Sequence, residues 1–101
     1  MLDDDTLMQQ APHRPEAFGA LYDRYVDRIH AYAYRLTQDE ALAQDVTAAT
    51  FEKALTAVRR SAWRGGSVAA WLFRIAHNEA MSQHRRRKWL APWRAWRGGA
   101  D

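Results

Sequence analysis

Apolar residues recur along the chain at the three- and four-residue spacing of amphipathic helices. The first such stretch follows Pro15, which suits the first position of a helix because its missing N–H costs nothing there. Glu16 in the first turn complements the helix dipole. The apolar stripe consists of Phe18, Leu21, Tyr22, Tyr25, Val26, Ile29, Tyr32, Ala33 and Leu36. The pattern predicts an amphipathic helix of about 22 residues.

A second periodic stretch begins at Thr37 and reaches about Arg59. Its apolar stripe consists of Leu42, Val46, Thr50, Ala54 and Val58, widened by Phe51 and Leu55. The sequence Thr37-Gln38-Asp39-Glu40 has the form of a capping box, in which the Thr hydroxyl and the Glu carboxylate accept from free N–H groups. This spacing predicts a second helix that is capped by Thr37.

A break at Arg64-Gly65-Gly66-Ser67 precedes the third stretch, because paired glycines interrupt a helix and Ser67 can cap the next one. The third stripe consists of Val68, Trp71, Leu72, Ile75 and Ala76. Pro92 should end or kink this helix. No segment alternates with the period of a strand. The pattern predicts an all-α fold, a small three-helix bundle with a basic, tryptophan-rich C-terminal tail.

The length of 101 residues allows one domain at most and excludes enzymes of the Rossmann or barrel type. Residues 1–13 are acidic and lack apolar periodicity, which predicts a flexible N-terminal arm. Residues 14–89 form the predicted helical domain. Residues 90–101 are interpreted as a tail or the start of a linker.

The formal net charge of +3 hides a steep asymmetry along the chain. Residues 1–52 carry a net charge of −6, whereas residues 53–101 carry +9. Such asymmetry indicates a nucleic-acid or other anionic partner for the second half. The acidic start and the lack of a long apolar run argue against a secretory signal or a membrane span, so a cytoplasmic protein is expected.

Basic and aromatic residues concentrate near the C-terminus. The cations are Arg85, Arg86, Arg87, Lys88, Arg94 and Arg97, with Arg74 upstream. Such a run can neutralise phosphates, although cations are also favoured at any helix C-terminus, and a basic helix beside tryptophans can lie on an anionic membrane. Trp71 fits the core. Trp63, in the glycine break, could stack on an unpaired base or fold back over the core edge.

The residues carry no enzyme signature. With no Cys there is no disulfide framework, thiolate metal site or cysteine nucleophile. The serines lack a nucleophile motif, no phosphate-binding glycine loop is present, and the four His are scattered. His77 and His84 share one predicted helix face but are too far apart to bind one metal without a third ligand. Neither catalysis nor a cofactor or metal is expected.

Four segments together resemble region 2 of bacterial extracytoplasmic-function (ECF) sigma factors. They are Phe18-Gly19-Ala20-Leu21-Tyr22-Asp23-Arg24-Tyr25, Asp45-Val46 through Thr50-Phe51, Trp63-Arg64-Gly65-Gly66-Ser67, and Trp71-Leu72-Phe73-Arg74-Ile75-Ala76-His77-Asn78. The resemblance covers residues from about 16 to 88, nearly the whole predicted helical domain.

The resemblance implies a transcription initiation module that binds RNA polymerase core at the clamp helices of its largest catalytic subunit. It also implies recognition and melting of the promoter −10 element by capture of a flipped non-template base. The positions that match the polymerase contact are Asp45, Thr47, Ala48, Ala49, Thr50 and Phe51. The DNA-binding positions are Trp63, Arg64, Gly65, Gly66, Ser67, Arg74, His77, Asn78, Ser82, Arg85, Arg86, Arg87 and Lys88. An anti-sigma factor is a further expected partner.

Some features depart from the family pattern. Ala48-Ala49 stands where the family usually has Gln-Glu, which keeps open an alternative: a sigma-like domain that binds an anti-sigma factor, or a degenerate relic. The chain ends at Asp101, before the region 4 domain that reads the −35 element, so full promoter recognition is not expected of it alone. Trp89, Trp93 and Trp96 recur at helical spacing and are expected to pack on the bundle or to mediate self-association.

Overall fold

A computed structural model describes the backbone of residues 1–99 and the side chains of residues 1–88. Over this range all regular secondary structure is helical, which confirms the predicted all-α class. The described residues form four helices rather than the three predicted. They are α1 (Asp4–Gln10), α2 (Pro15–Thr37), α3 (Glu40–Arg59) and α4 (Val68–Gly99).

Helix α1 replaces most of the arm that the sequence pattern predicts to be flexible. Asp3 caps it, because its side chain accepts a hydrogen bond from the Thr6 N–H at 2.8 Å. Leu7 and Met8 are buried in the main core. The prediction of a loose arm is wrong because a seven-residue helix buries too few side chains to produce a periodic apolar stripe.

Asp4 fastens α1 to α2. Its carboxylate accepts from Arg24 at 2.6 Å and from the hydroxyl of Tyr25, whose ring lies in the core. Arg24 also donates to the carbonyl oxygen of Leu2 at 2.8 Å. Burial, reinforced by the bond to Asp4, raises the pKa of the Tyr25 hydroxyl. Side-chain hydrogen bonds therefore support a helix that is too short to be stable alone.

The connection between α2 and α3 differs from the predicted capping box. Thr37 remains in α2 and donates its hydroxyl to the Ala33 carbonyl at 2.9 Å. Gln38 turns the chain with a left-handed φ of 54°, and Asp39 then caps α3 by accepting from the Leu42 N–H at 2.9 Å. The predicted Thr37 cap is wrong because the helix before it continues through that residue.

The core divides into two clusters of different character. The larger one joins all four helices through bulky side chains, among them Leu7, Leu21, Ile29, Phe51, Val58 and Leu72. The smaller one consists of Ala33, Ala43, Val46 and Ala80. Beside the clusters, the buried carboxylate of Glu79 on α4 pairs with Lys53 of α3. Packing and this ion pair together hold α4 against α3.

The connection between α3 and α4 combines two helix signals. The N–H groups of Ser61 and Ala62 donate back to the carbonyls of Val58 and Ala57, both at 2.9 Å, which is the Schellman arrangement of a helix C-terminus. Ser61 takes the left-handed position with φ 52°. Ser67 then caps α4 by accepting from the Ala70 N–H at 3.1 Å, as the sequence predicts.

Helix α4 continues past Pro92 to Gly99, so of the two predicted effects of Pro92 the end of the helix is wrong, and the kink stays a prediction. A proline inside a helix removes a single backbone N–H donor, and the helix can continue when the turns on both sides remain formed. The side chains of Trp89, Trp93 and Trp96 lie outside the described residues. Their expected packing or self-association therefore stays a prediction.

Candidate functional site

One side of α4 brings together five of the thirteen predicted DNA-binding residues. They follow the three- and four-residue spacing that places side chains on one helix face. These five, Arg74, His77, Asn78, Ser82 and Arg85, are called the α4 face below. All are exposed except Ser82, which is half-buried. The face carries two guanidinium groups, two neutral donors or acceptors and one imidazole.

The cations of the basic run at residues 85–88 do not all lie on one surface. Arg87 reaches across to α3 and donates to the Asp39 carboxylate at 2.7 Å. Arg86 and Arg87 also line a groove of about 320 Å³ whose other wall contains Asp39 and Asp45. Because a helix turns by about 100° per residue, consecutive cations point in different directions. Arg85 belongs to the α4 face, whereas Arg86 and Arg87 lie on the groove.

Asp39 has two functions in this groove. One carboxylate oxygen accepts the capping N–H of Leu42, and the other accepts from Arg87. The Leu42 N–H first, and then Arg87, hold the pKa of the Asp39 carboxyl below its usual value. The predicted role of Arg87 as a DNA contact is therefore in competition with its ion pair to α3.

The segment at residues 61–67, called the glycine loop, holds five further predicted DNA-binding residues, from Trp63 to Ser67. The last one, Lys88, is exposed on α4 at the end of the basic run. Gly65 and Gly66 have φ of 89° and 91°, which L side chains rarely adopt, although a Cβ at either position would meet no atom within 4 Å. Their need for glycine is therefore conformational and not steric. Arg64 is exposed and donates to the Ser61 carbonyl at 3.0 Å, which closes the loop on itself.

Trp63 is half-buried against the main core and packs edge-to-face on Trp71, with ring centroids 5.3 Å apart. Trp63 was open to two interpretations, stacking on an unpaired base or folding back over the core edge, and this contact favours the second. Trp71 is also half-buried and packs on the core, as the sequence predicts. A partly exposed indole held by a second indole still leaves surface on which a ligand could stack.

An arginine of α2 contributes to this region without any signal in the sequence pattern. Arg28 lies over the ring of Tyr25 at 5.2 Å and over that of Phe73 at 5.5 Å. Phe73 in turn packs edge-to-face on Tyr32, with centroids 5.2 Å apart. Helical spacing alone places Arg28 on a solvated face, and only the packed helices reveal that its cation lies against the residue preceding Arg74.

The predicted polymerase contacts on α3 divide into exposed and buried residues. Asp45 and Ala48 are exposed and Ala49 is half-buried; these three are called the α3 face. Thr47 and Thr50 are buried, and each donates its hydroxyl at 2.7 Å to a carbonyl one turn earlier in α3.

Phe51 is also buried, with 6% of its surface exposed. The prediction that Thr47, Thr50 and Phe51 contact the polymerase directly is therefore corrected. Their side chains face the core, because the run of residues 45–51 covers the whole circumference of the helix.

Tyr22 is a residue that the sequence pattern misplaces. It belongs to the predicted apolar stripe of α2, yet 42% of it is exposed. It packs edge-to-face on Phe51, with ring centroids 4.8 Å apart. Tyr22 therefore adds an amphipathic side chain to the surface beside α3. Tyr is enriched at protein–protein interfaces.

None of the helices, as far as the chain is described, is long and apolar enough to cross a membrane. Within the same range no three His, Asp or Glu side chains come together in a way that could hold a metal ion.

Comparison with known proteins identifies the family. The sequence-family model of sigma-70 region 2 matches residues 21–90. The ECF RNA polymerase sigma factor BldN of Streptomyces coelicolor is 40% identical over 63 residues, which cover 62% of this chain and 24% of that protein. The ECF RNA polymerase sigma factor SigK of Mycobacterium sp. (strain KMS) is 30% identical over 84 residues, or 82% of this chain and 44% of that protein.

The RNA polymerase sigma factor YlaC of Bacillus subtilis is 36% identical over 75 residues, which cover 73% of this chain and 42% of that protein. The chain thus spans less than half the length of these relatives. No solved structure matches. The family consists of transcription initiation factors, which confirms the prediction that the chain is not an enzyme. The matched residues include α3, the glycine loop and most of α4, and the chain belongs to the sigma-70 region 2 family as a region 2 domain of the ECF type.

Proposed function

We propose that this domain directs RNA polymerase core to promoters and opens the −10 element by capturing a flipped base of the non-template strand. The observation that carries the proposal is the α4 face, which presents exposed Arg74, His77, Asn78 and Arg85 on one side of the helix that follows the glycine loop. Guanidinium groups bind phosphates, and Asn can pair with base edges. The family membership supports the same function.

The glycine loop is the proposed site of base capture. Extracting a base from the duplex costs a few kcal/mol of stacking and pairing, part of which a pocket for the base recovers. Arg64 and the partly exposed ring of Trp63 lie in this loop, and aromatic rings and guanidinium planes both stack on bases. Arg74 and Arg85 would then hold the phosphates of the displaced strand.

The α3 face is the proposed contact with the clamp helices of the polymerase. Its centre, Ala48 and Ala49, is small and apolar, with the Asp45 carboxylate one turn away and Tyr22 nearby. A carboxylate on this face complements a basic partner and repels DNA, which would orient the domain between polymerase and promoter. A cytoplasmic location follows from the same proposal.

A second function keeps the fold without promoter activity. In this alternative the domain binds an anti-sigma factor, or persists as a relic. Ala48 and Ala49 favour it, because they offer no polar group to a clamp helix. The ion pair of Arg87 with Asp39 also withdraws one cation from DNA binding.

The first test uses single-stranded DNA. Selection from random single strands should enrich one sequence, and anisotropy should then show preferential binding of that strand over its scrambled version. Asn78→Ala should remove the preference. Ala31→Ser, at an exposed α2 position outside both faces, should preserve it. Equal binding of both strands by the wild type would exclude base capture and leave only electrostatic attraction.

The second test separates the two functions by pull-down with polymerase core. Wild type should be retained, and Ala48→Arg should reduce retention because it places a long charged side chain on the α3 face. Ala31→Arg makes the same change at an exposed position of α2 and should be retained like wild type. Loss of wild-type retention would favour the anti-sigma or relic alternative.

A further inference from the structure

A small cavity lies where α1, the end of α3 and the glycine loop meet. Its volume is about 130 Å³. Its lining comes from Met8, Gln9, Pro12, Val58, Ser61 and Trp63. The N-terminal segment therefore contributes to the lining together with the first residue of the glycine loop and its tryptophan.

Met8 is the most buried residue of that N-terminal lining, with 2% of its surface exposed. It belongs to the core cluster against which Trp63 packs. Trp63 also meets Trp71 edge-to-face. The indole of Trp63 thus contacts the core and the Trp71 ring and borders a cavity that Met8 helps to enclose, so a change at Met8 would alter the space open to the indole.

The position of α1 is itself fixed by bonds that do not involve the glycine loop. The Asp4 carboxylate binds Arg24 and Tyr25 of α2, and Asp3 caps the first turn. A seven-residue helix has little stability of its own, so these contacts decide where Met8 lies.

We propose that α1 is a positioning element for base capture, with Met8 as its positioning residue. Met8 sets the orientation of the Trp63 ring and through it the shape of the glycine loop. This inference rests on the proposed function of that loop. Without Met8, Trp63 and the loop would sample other conformations, and strand affinity would fall by the fraction of time spent in them.

The test compares two neighbouring buried residues of α1. Leu7 is 5% exposed, but it lines a different cavity, together with Ala20, Asp23 and Arg24. Leu7→Ala therefore matches Met8→Ala in helix, burial and type of change. Protein labelled with 5-fluorotryptophan reports the Trp63 environment by fluorine NMR, and the Trp63 signal is assigned with Trp63→Phe.

Met8→Ala should move the Trp63 signal and weaken binding of the selected single strand by about three- to tenfold. Leu7→Ala should leave both unchanged at a temperature where each variant is folded. Met8→Leu should restore both, because it refills most of the volume. Should Met8→Ala fail to fold, Pro12→Ala opens the same cavity from a half-buried position and should give the same shift.

An equal shift of the Trp63 signal in Leu7→Ala and Met8→Ala would overturn the specific role of Met8. A shift in Met8→Ala without loss of strand affinity would overturn its role in base capture, while Asn78→Ala would still test the proposed function. If wild type has no strand preference, the proposed function fails, and the fluorine signal alone then decides whether Met8 positions Trp63.

Discussion

The outer surfaces of α3 and α4 carry their candidate residues in different patterns. On α4 the residues of the α4 face follow the helical period, and all of them reach solvent at least in part. On α3 the candidates are nearly consecutive, and Thr47, Thr50 and Phe51 of the six are buried. A family motif on a helix contains core residues as well as contact residues, and the helical period separates the two groups.

The cations of the basic run at residues 85–88 are also divided between different surfaces. Its members are adjacent in sequence, but Arg85 lies on the α4 face and Arg87 pairs with Asp39 on α3. The charge of the run therefore overstates what is available to DNA. Cations that follow the helical period are better candidates for a common phosphate-binding surface than cations that are merely consecutive.

Phe51→Ala should give the largest effect among the tests of the division between buried and exposed residues on α3. Because Phe51 is buried, the substitution should reduce the free energy of unfolding by about 3–5 kcal/mol, as measured by urea denaturation. Asp45→Ala, on the α3 face, should change it by about 0.5 kcal/mol or less. A Phe51→Ala protein of wild-type stability would contradict the assignment of Phe51 to the core.

Gly66→Ala tests the loop that connects the two faces. The left-handed φ of Gly66 should make the substitution destabilising by about 1–2 kcal/mol, although no atom crowds the site. Gly19→Ala is the matched control, since Gly19 lies in α2 and an added Cβ there would meet no atom within 4 Å. This substitution should stabilise the protein by up to about 1 kcal/mol. Denaturation curves that rank the two variants in the opposite order would refute this explanation of the loop.

Arg85→Gln and Arg87→Gln test whether the cations of the basic run contribute differently to DNA binding. The first should reduce the slope of log affinity for single-stranded DNA against log salt by about one, because it removes a phosphate contact. The second should reduce that slope less, since Arg87 is engaged by Asp39. Equal slopes in titrations of the two variants would show that the run acts as one patch.

The smallest expected effect is a pH dependence that arises from Asp39. Its folded-state pKa lies below the ordinary value of 3.8, so its contribution to stability is present above that pH and is lost as the pH falls through the folded-state pKa. The unfolding free energy of wild type should therefore fall more steeply in acid than that of Asp39→Asn. Arg87→Gln should remove part of the difference, and an acid slope unaffected by Arg87→Gln would argue against the ion pair.

Local patterns predicted α2, α3 and the Ser67 cap well, because each depends on residues that are close in sequence. The stripe of α2 and the glycine break are examples. Helix α1 has no periodic apolar stripe because only Leu7 and Met8 face the main core from its roughly two turns, although Asp3 followed by two further acids is a usable N-cap signal. The Thr37 cap was wrong by two residues, within the usual uncertainty of helix ends.

Contacts between distant residues could not be read from local patterns. Arg87 and Asp39 are 48 residues apart, and Arg28 meets Phe73 only when α2 packs on α4. The exposure of Tyr22 likewise depends on where α3 lies. The resemblance to sigma region 2 supplied the candidate residues, whereas the packed helices decide which of those side chains can reach a partner.

NMR chemical-shift mapping with the selected single strand shows directly whether the strand contacts the exposed α4 face and the glycine loop. In ¹⁵N-labelled protein, addition of the strand should shift signals of Arg74, His77, Asn78 and Arg85 and of the glycine loop, and the scrambled strand should shift far fewer. Signals of the α3 face should stay in place. Shifts centred on α3 would refute binding at the α4 face and the glycine loop, and the same map for both strands would refute base capture.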